Sequence, residues 1–150
     1  GSHLRLKSGL LNTILRLSTL LKGEEECRKR AIELMEFVGC GEYVETEASA
    51  MSYGALKRLE IARALASDPK VVLLDEPAAG LNGTETAALE ELIKKVAAHG
   101  ITVVLVEHDM KLVMGISDRM LVLNYGRKLA EGTPEEIRNN PDVIAAYLGS

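Results

Sequence analysis

Cysteine is scarce: Cys27 and Cys40 are the only two, and they fall in no metal-ligand spacing. That excludes a disulfide framework and a zinc site, and it fits a reducing cytosol with both as buried thiols or bystanders. No run reaches the ~18 apolar residues that a membrane span needs, and no signal peptide is recognisable, so any link to a membrane comes through a partner. Basic runs are missing as well. Eighteen Lys and Arg against 22 Asp and Glu give a net charge of −4, which argues against a nucleic-acid surface. There is no low-complexity linker and no internal repeat, so 150 residues read as one domain, or one with a small appendage. With 47% of residues apolar, a packed core is expected rather than disorder. Gly1-Ser2-His3 looks like a remnant of tag removal and there is no initiator Met, so a piece of a longer protein is expected.

What the chain does have is Val71-Val72-Leu73-Leu74-Asp75-Glu76-Pro77, followed by Ala78-Ala79-Gly80-Leu81-Asn82. Four branched apolar residues in a row read as a strand buried on both faces, as in a parallel sheet. Two carboxylates close it and Pro77 stops it. In open α/β sheets, ligands bind at that end of the strands. Asn82 and Glu85 have capping-box spacing for a helix with the apolar stripe Leu89, Leu92, Ile93 and Val96, and Gly100 is placed to cap its far end. Ile101 to Val106 is a second strand of the kind buried on both faces, so strand, helix and strand form a right-handed βαβ unit. Glu107-His108-Asp109 follows, which puts His108 on the same sheet edge as Asp75 and Glu76. A lone histidine there is as readily a capping or solvated residue.

The first third is helical. Leu10, Ile14, Leu17 and Leu21, widened by Leu4, Leu11, Leu15 and Leu20, form a face that is either core or a docking surface for a partner helix. Gly23 is expected to end this helix, and a second is expected from Glu24, with Cys27, Ala31, Leu34, Met35 and Val38 as its stripe and Gly39-Cys40-Gly41 as its break. Met51-Ser52-Tyr53-Gly54-Ala55 then opens another helix, with Leu56, Leu59, Ala62 and Ala66 on one face. Ser52 is a good N-cap, and Gly54 lets a ligand approach the backbone, so this start is either a plain cap or an anion site. Beyond residue 109 the pattern gives a short helix over 110–117, a strand at 120–123, a hairpin turn at Gly126-Arg127, a capping box at Thr133-Pro134-Glu135-Glu136 and a last helix over 141–148.

Ser52-Tyr53-Gly54, then Leu59-Glu60-Ile61-Ala62-Arg63-Ala64-Leu65, then Leu73-Leu74-Asp75-Glu76-Pro77 resembles the ATP-binding-cassette (ABC) ATPases, with their signature motif followed by Walker B. Asp75 to Asn82, Glu107-His108-Asp109-Met110-Lys111-Leu112-Val113-Met114 and Gly132-Thr133-Pro134-Glu135-Glu136-Ile137-Arg138 are similar to the ATP-binding subunits of branched-chain amino-acid importers. The resemblance implies an α/β fold: a helical signature subdomain over 4–67, the C-terminal part of a RecA-like, mostly parallel P-loop NTPase core over 68–132, and C-terminal helices over 133–150. It also implies roles. Asp75 holds Mg²⁺ through water, Glu76 is the general base, and His108 contacts the γ-phosphate of ATP. Ser52, Tyr53 and Gly54 face ATP on a second subunit, and Gly80 and Asn82 lie in the loop linking the two sites. Implied partners are membrane permease subunits and a second ATP-binding subunit, with a peripheral location on the cytoplasmic face of the cell membrane.

No Gly-x-x-x-x-Gly-Lys-Ser/Thr occurs in the chain, so there is no P-loop. Ala55 stands where the signature usually has Gln or Glu, and Asn82 where many such loops carry Asp. The chain alone is therefore expected to neither bind ATP tightly nor hydrolyse it. The family's P-loop strand lies between the strands at 101–106 and 119–123. Without it, the sheet is expected to close over the gap or a second copy to fill it. Two other readings are a P-loop-free interaction module that docks a permease or other partner, and half of a split ABC ATPase with no transport role.

Overall fold

A computed structural model of the chain describes the backbone of residues 10–148 and the side chains of residues 24–147. It divides into two compact units, Gly1–Pro69 and Lys70–Ser150.

In the first unit, helix α1 spans Leu10–Phe37 without interruption. Gly23 does not end it. A glycine costs a helix interior about 1 kcal/mol, which the turns on either side offset. The stop comes where Gly39 takes φ +72°. There the Gly39 N–H donates to the Glu36 carbonyl at 3.0 Å and the Cys40 N–H to Met35 at 2.7 Å, the paired bonds of a Schellman cap. The leucine face predicted over residues 4–21 lies outside the described side chains. Two short 3₁₀ turns, Gly41–Tyr43 and Ala48–Ala50, lead to α2, Tyr53–Leu65. The unit's core is Val38, Cys40, Met51, Ala55, Ile61, Ala62 and Leu65. The inward face of α2 is thus rotated from the predicted one: Ala66 is exposed and Leu56 and Leu59 are half-buried. Cys40 is buried and its thiol lies 3.5 Å from the Ala55 carbonyl, whereas Cys27 is exposed. Arg30 pairs with Asp68 and ties α1 to the turn after α2.

The second unit holds β1 (Val71–Asp75), α3 (Gly83–Ala98), β2 (Thr102–Val106), α4 (Met110–Ile116), β3 (Met120–Asn124), β4 (Arg127–Gly132), α5 (Pro134–Arg138) and α6 (Pro141–Val143), which runs on into a π turn over Ile144–Leu148. β1 and β2 pair in parallel, Val71 opposite Thr102 and Asp75 opposite Val106. The helix between them carries the predicted cap. Asn82 accepts from the Thr84 and Glu85 N–H groups, Glu85 answers to the Asn82 N–H, and Leu89, Leu92, Ile93 and Val96 are buried. β3 and β4 form an antiparallel hairpin turning at Tyr125-Gly126, both at positive φ as a two-residue turn requires. Met120, Val122 and Ala130 face a core completed by Val113, Ile137 and Val143.

Two expectations are corrected. The apolar strands are buried on one face, not two: Val72 is 4% exposed, while Leu73 is 75% and Val106 58% exposed. Alternation sends Val71, Leu73, Val104 and Val106 to a side that no described element covers. Nor does the sheet close over the gap, because β2 and β3 belong to separate two-stranded sheets. No helix among the described residues is long and apolar enough to cross a membrane.

Candidate functional site at the ends of the parallel strands

The predicted residues fall into two groups, one in each unit. In the first, Ser52 caps α2 from extended backbone, its Oγ accepting the Ala55 N–H at 3.2 Å. That bond uses an oxygen lone pair and leaves the hydroxyl proton free to donate. Gly54 is buried and Tyr53 is half exposed, with Lys57 Nζ 5.6 Å from its ring centre. An apolar groove of about 240 Å³ floored by Ile32, Met35, Val44, Met51 and Leu59 lies in the same unit. None of the predicted site residues lines it.

The second group forms at the C-terminal ends of β1 and β2. Asp75 is the last residue of β1, and among the described residues no hydrogen bond or ion pair engages its carboxylate. Glu76 follows at φ +43°. For a residue with a Cβ, such backbone costs about 1–3 kcal/mol and persists only where the surroundings impose it. Here the Glu76 N–H donates to the Val106 carbonyl at 2.9 Å, and its own carbonyl accepts from Ala79 at 3.1 Å. Pro77 prevents the chain from continuing as a strand. Gly80, at φ +79°, makes the second bend, and Asn82 ends the loop as the cap of α3. His108 leaves β2 on the same edge, with Nδ1 3.6 Å from Glu76 Oε1. The structure therefore brings Asp75, Glu76, Gly80, Asn82 and His108 onto one loop cluster, as the motif order predicts. Ser52, Tyr53 and Gly54 belong to the other unit.

Sequence reasoning missed Glu107 as a site residue. Its side chain is 1% exposed, against 75% for His108. One oxygen accepts the Ala78 N–H at 2.9 Å and the other the His108 N–H at 3.2 Å. Oε2 also lies 3.8 Å from His108 Nδ1. Carboxylate oxygens of Glu76 and Glu107 thus both lie beside His108 Nδ1. A signal was available: period-two alternation places Glu107 on the inward side with Val103 and Leu105, opposite Val104, Val106 and His108. Asp109 caps α4 through the Lys111 and Leu112 N–H groups and fixes the chain beyond the histidine.

Carboxylate oxygens suit a hard cation. No group of three or more His, Cys, Asp or Glu among the described residues could hold a metal by itself. Mg²⁺ is a cation that one or two carboxylates hold, with water and phosphate oxygens completing its shell. The fit to a nucleoside triphosphate is partial. The edge offers groups for a terminal phosphate, and the chain has no loop to cradle the inner ones.

Residues 3–79 match the family model described as ABC transporter, and residues 127–150 match that described as branched-chain amino acid ATP-binding cassette transporter. The high-affinity branched-chain amino acid transport ATP-binding protein LivG of Salmonella typhimurium is 51% identical over 99% of this chain. BraF of Pseudomonas aeruginosa, which carries the same description, is 47% identical. The chain spans 59% of the length of both curated relatives. Among solved structures, an ATP-binding cassette of an ABC transporter in its ADP conformation aligns with TM-score 0.76 and 29% identity, covering 83% of this chain and 51% of that one. A nucleotide-free cassette aligns with TM-score 0.75 and 32% identity, covering 84% and 51%.

Proposed function

Because the chain belongs to the ABC transporter ATP-binding family, we propose that it is part of the ATP-hydrolysing subunit of an importer of branched-chain amino acids. The observation that carries this reading is the edge itself: Asp75, strained Glu76 and His108 at the ends of two parallel strands, with His108 Nδ1 3.6 Å from Glu76.

Each residue has a task that its surroundings support. The unengaged Asp75 carboxylate would hold Mg²⁺ through water. When bound, the cation neutralises charge on the terminal phosphate oxygens. Glu76, 55% exposed at its side chain, would take a proton from the attacking water as general base. His108 would donate a ring N–H to charge developing on the γ-phosphate. Ser52, with its hydroxyl proton free, and the backbone of Tyr53 and Gly54 at the start of α2 would serve the γ-phosphate of ATP held by a second subunit. Gly80 and Asn82 would shape the loop between the two sites. Partners on this reading are that second ATP-binding subunit and membrane permease subunits, and the assembly is peripheral on the cytoplasmic face of the membrane.

By itself the chain lacks a cradle for the α- and β-phosphates, so calorimetry with ATP and Mg²⁺ should show no tight binding. A sub-micromolar Kd would contradict this. The transport reading is tested by joining the chain to an N-terminal segment that bears a Gly-x-x-x-x-Gly-Lys-Ser/Thr loop. The joined protein is then expressed in bacteria lacking their own LivG. Restored uptake of labelled leucine is expected. Uptake that stays at background while the joined protein is folded and abundant would overturn the proposal.

A further inference from the structure

Glu107 stands out in a search of the rest of the molecule, because a carboxylate with 1% of its side chain exposed must be compensated where it sits. Its compensation is unusual in kind. Among the described residues no arginine or lysine reaches it, and its hydrogen-bond donors are two backbone N–H groups that belong to different strand ends. Ala78 lies in the turn after β1, three residues short of where that turn closes on Leu81, and His108 lies directly after β2. Ala78 is two residues from Glu76, whose backbone sits in the left-handed region at φ +43°. The turn has a second tie to β2, the Glu76 N–H to the Val106 carbonyl, and that bond fixes one end of the strained residue. The Glu107 carboxylate fixes the chain on its other side.

We propose that Glu107 is the positioning residue of this edge: its carboxylate clamps the Ala78 and His108 amides together and so holds Glu76 in its left-handed conformation beside the imidazole. The proposal rests on the reading of Glu76 and His108 as the reacting pair, but the clamp is a property of the folded chain and can be tested without nucleotide. Both acceptors are needed. In Glu107→Gln the side chain keeps its volume, but one oxygen becomes an NH₂ group that faces an N–H donor, so only one of the two amides can be served.

The test is amide hydrogen exchange and NMR on the whole chain, as wild type, Glu107→Gln and Glu107→Ala. Glu107→Gln should lower protection at Ala78 or His108 about tenfold or more, the loss expected when a hydrogen bond to a charged group is broken. Amides of the β1–β2 ladder, from Val72 to Val106, should keep theirs. The strong intraresidue NH–Hα cross-peak that marks positive φ at Glu76 should weaken in the same variant. Glu107→Ala should expose both amides. If Ala78 and His108 keep full protection in Glu107→Gln, or the Glu76 cross-peak is unchanged, the clamp is refuted. If the ladder amides fall by the same factor as Ala78, Glu107 is only a packing residue, and that also overturns the proposal. Neither failure touches the ATPase reading, which stands or falls on uptake and hydrolysis by the P-loop-bearing protein.

Discussion

The two small sheets of the second unit meet different fates, although β3 is as apolar as β1 and β2. In the β3–β4 hairpin, Met120, Val122 and Ala130 are buried in a core shared with α4, α5 and α6. Leu121 and Leu123 lie on the exposed face, where an antiparallel pair tolerates water. The parallel β1–β2 pair buries Val72 on one face and leaves Val71, Leu73, Val104 and Val106 exposed on the other. One pair is finished by local chain; the other carries a second apolar face for which the described residues supply no cover. An apolar run therefore records the sheet a strand is made for, whereas exposure records what lies around it here. The edge proposed to be reactive is on the unfinished sheet.

This contrast can be broken most forcefully in the core. Ile137→Ala removes a side chain that is 1% exposed, and should cost about 2–5 kcal/mol in denaturant unfolding. Leu73→Ala, at a site 75% exposed, should change stability by no more than about 0.5 kcal/mol. If Leu73→Ala costs as much as Ile137→Ala, the β1–β2 face is covered in solution, and the chain self-associates or closes there.

A smaller effect sharpens the finished side. Thr133 and Glu136 form a capping box at α5, and Thr133→Ala should cost about 1 kcal/mol. Gly132→Ala should act in the same direction, because a Cβ there would meet Glu136 Oε2 at 2.5 Å and its Cβ at 3.1 Å. Urea melts of the two variants check both.

The smallest effect is in pH. Hydrogen bonds from the Thr133 backbone and then its hydroxyl hold the Glu136 carboxyl below its usual range, and Arg119 followed by Lys128 do the same for Glu131. A carboxyl lowered in the folded state contributes stability above the unfolded glutamate value. That contribution is lost as pH falls from there through the lowered folded value. The α5 and β4 amides should lose exchange protection over that acidic window, and Glu136→Gln should flatten the response. An unchanged profile in the variant would remove Glu136 as the cause.

Much of this was legible in the residues. Asn82 with Glu85, and Thr133 with Glu136, announce their helices because the capping chemistry is local. The parallel pairing of β1 and β2, and the meeting of Glu76 with His108, follow from strand, helix and strand in order. Gly23 misled because a glycine is only a modest helix penalty, and the real stop at Gly39 needs a left-handed turn with two specific bonds. The second face of β1 misled because four apolar residues say nothing about whether both covers are present. Glu107 is hard to single out in the sequence because it stands beside a more conspicuous histidine, although alternation along β2 turns it inward.

The central claim is that Glu76 and His108 form the edge at which ATP is cut. Its most direct test is the hydrolysis rate of the chain joined to a P-loop-bearing segment, compared with its Glu76→Gln variant at saturating ATP and Mg²⁺. The account predicts that Glu76→Gln still binds ATP and hydrolyses it about 10²–10⁴-fold more slowly, as for loss of a general base. Hydrolysis at the parental rate in Glu76→Gln would contradict it.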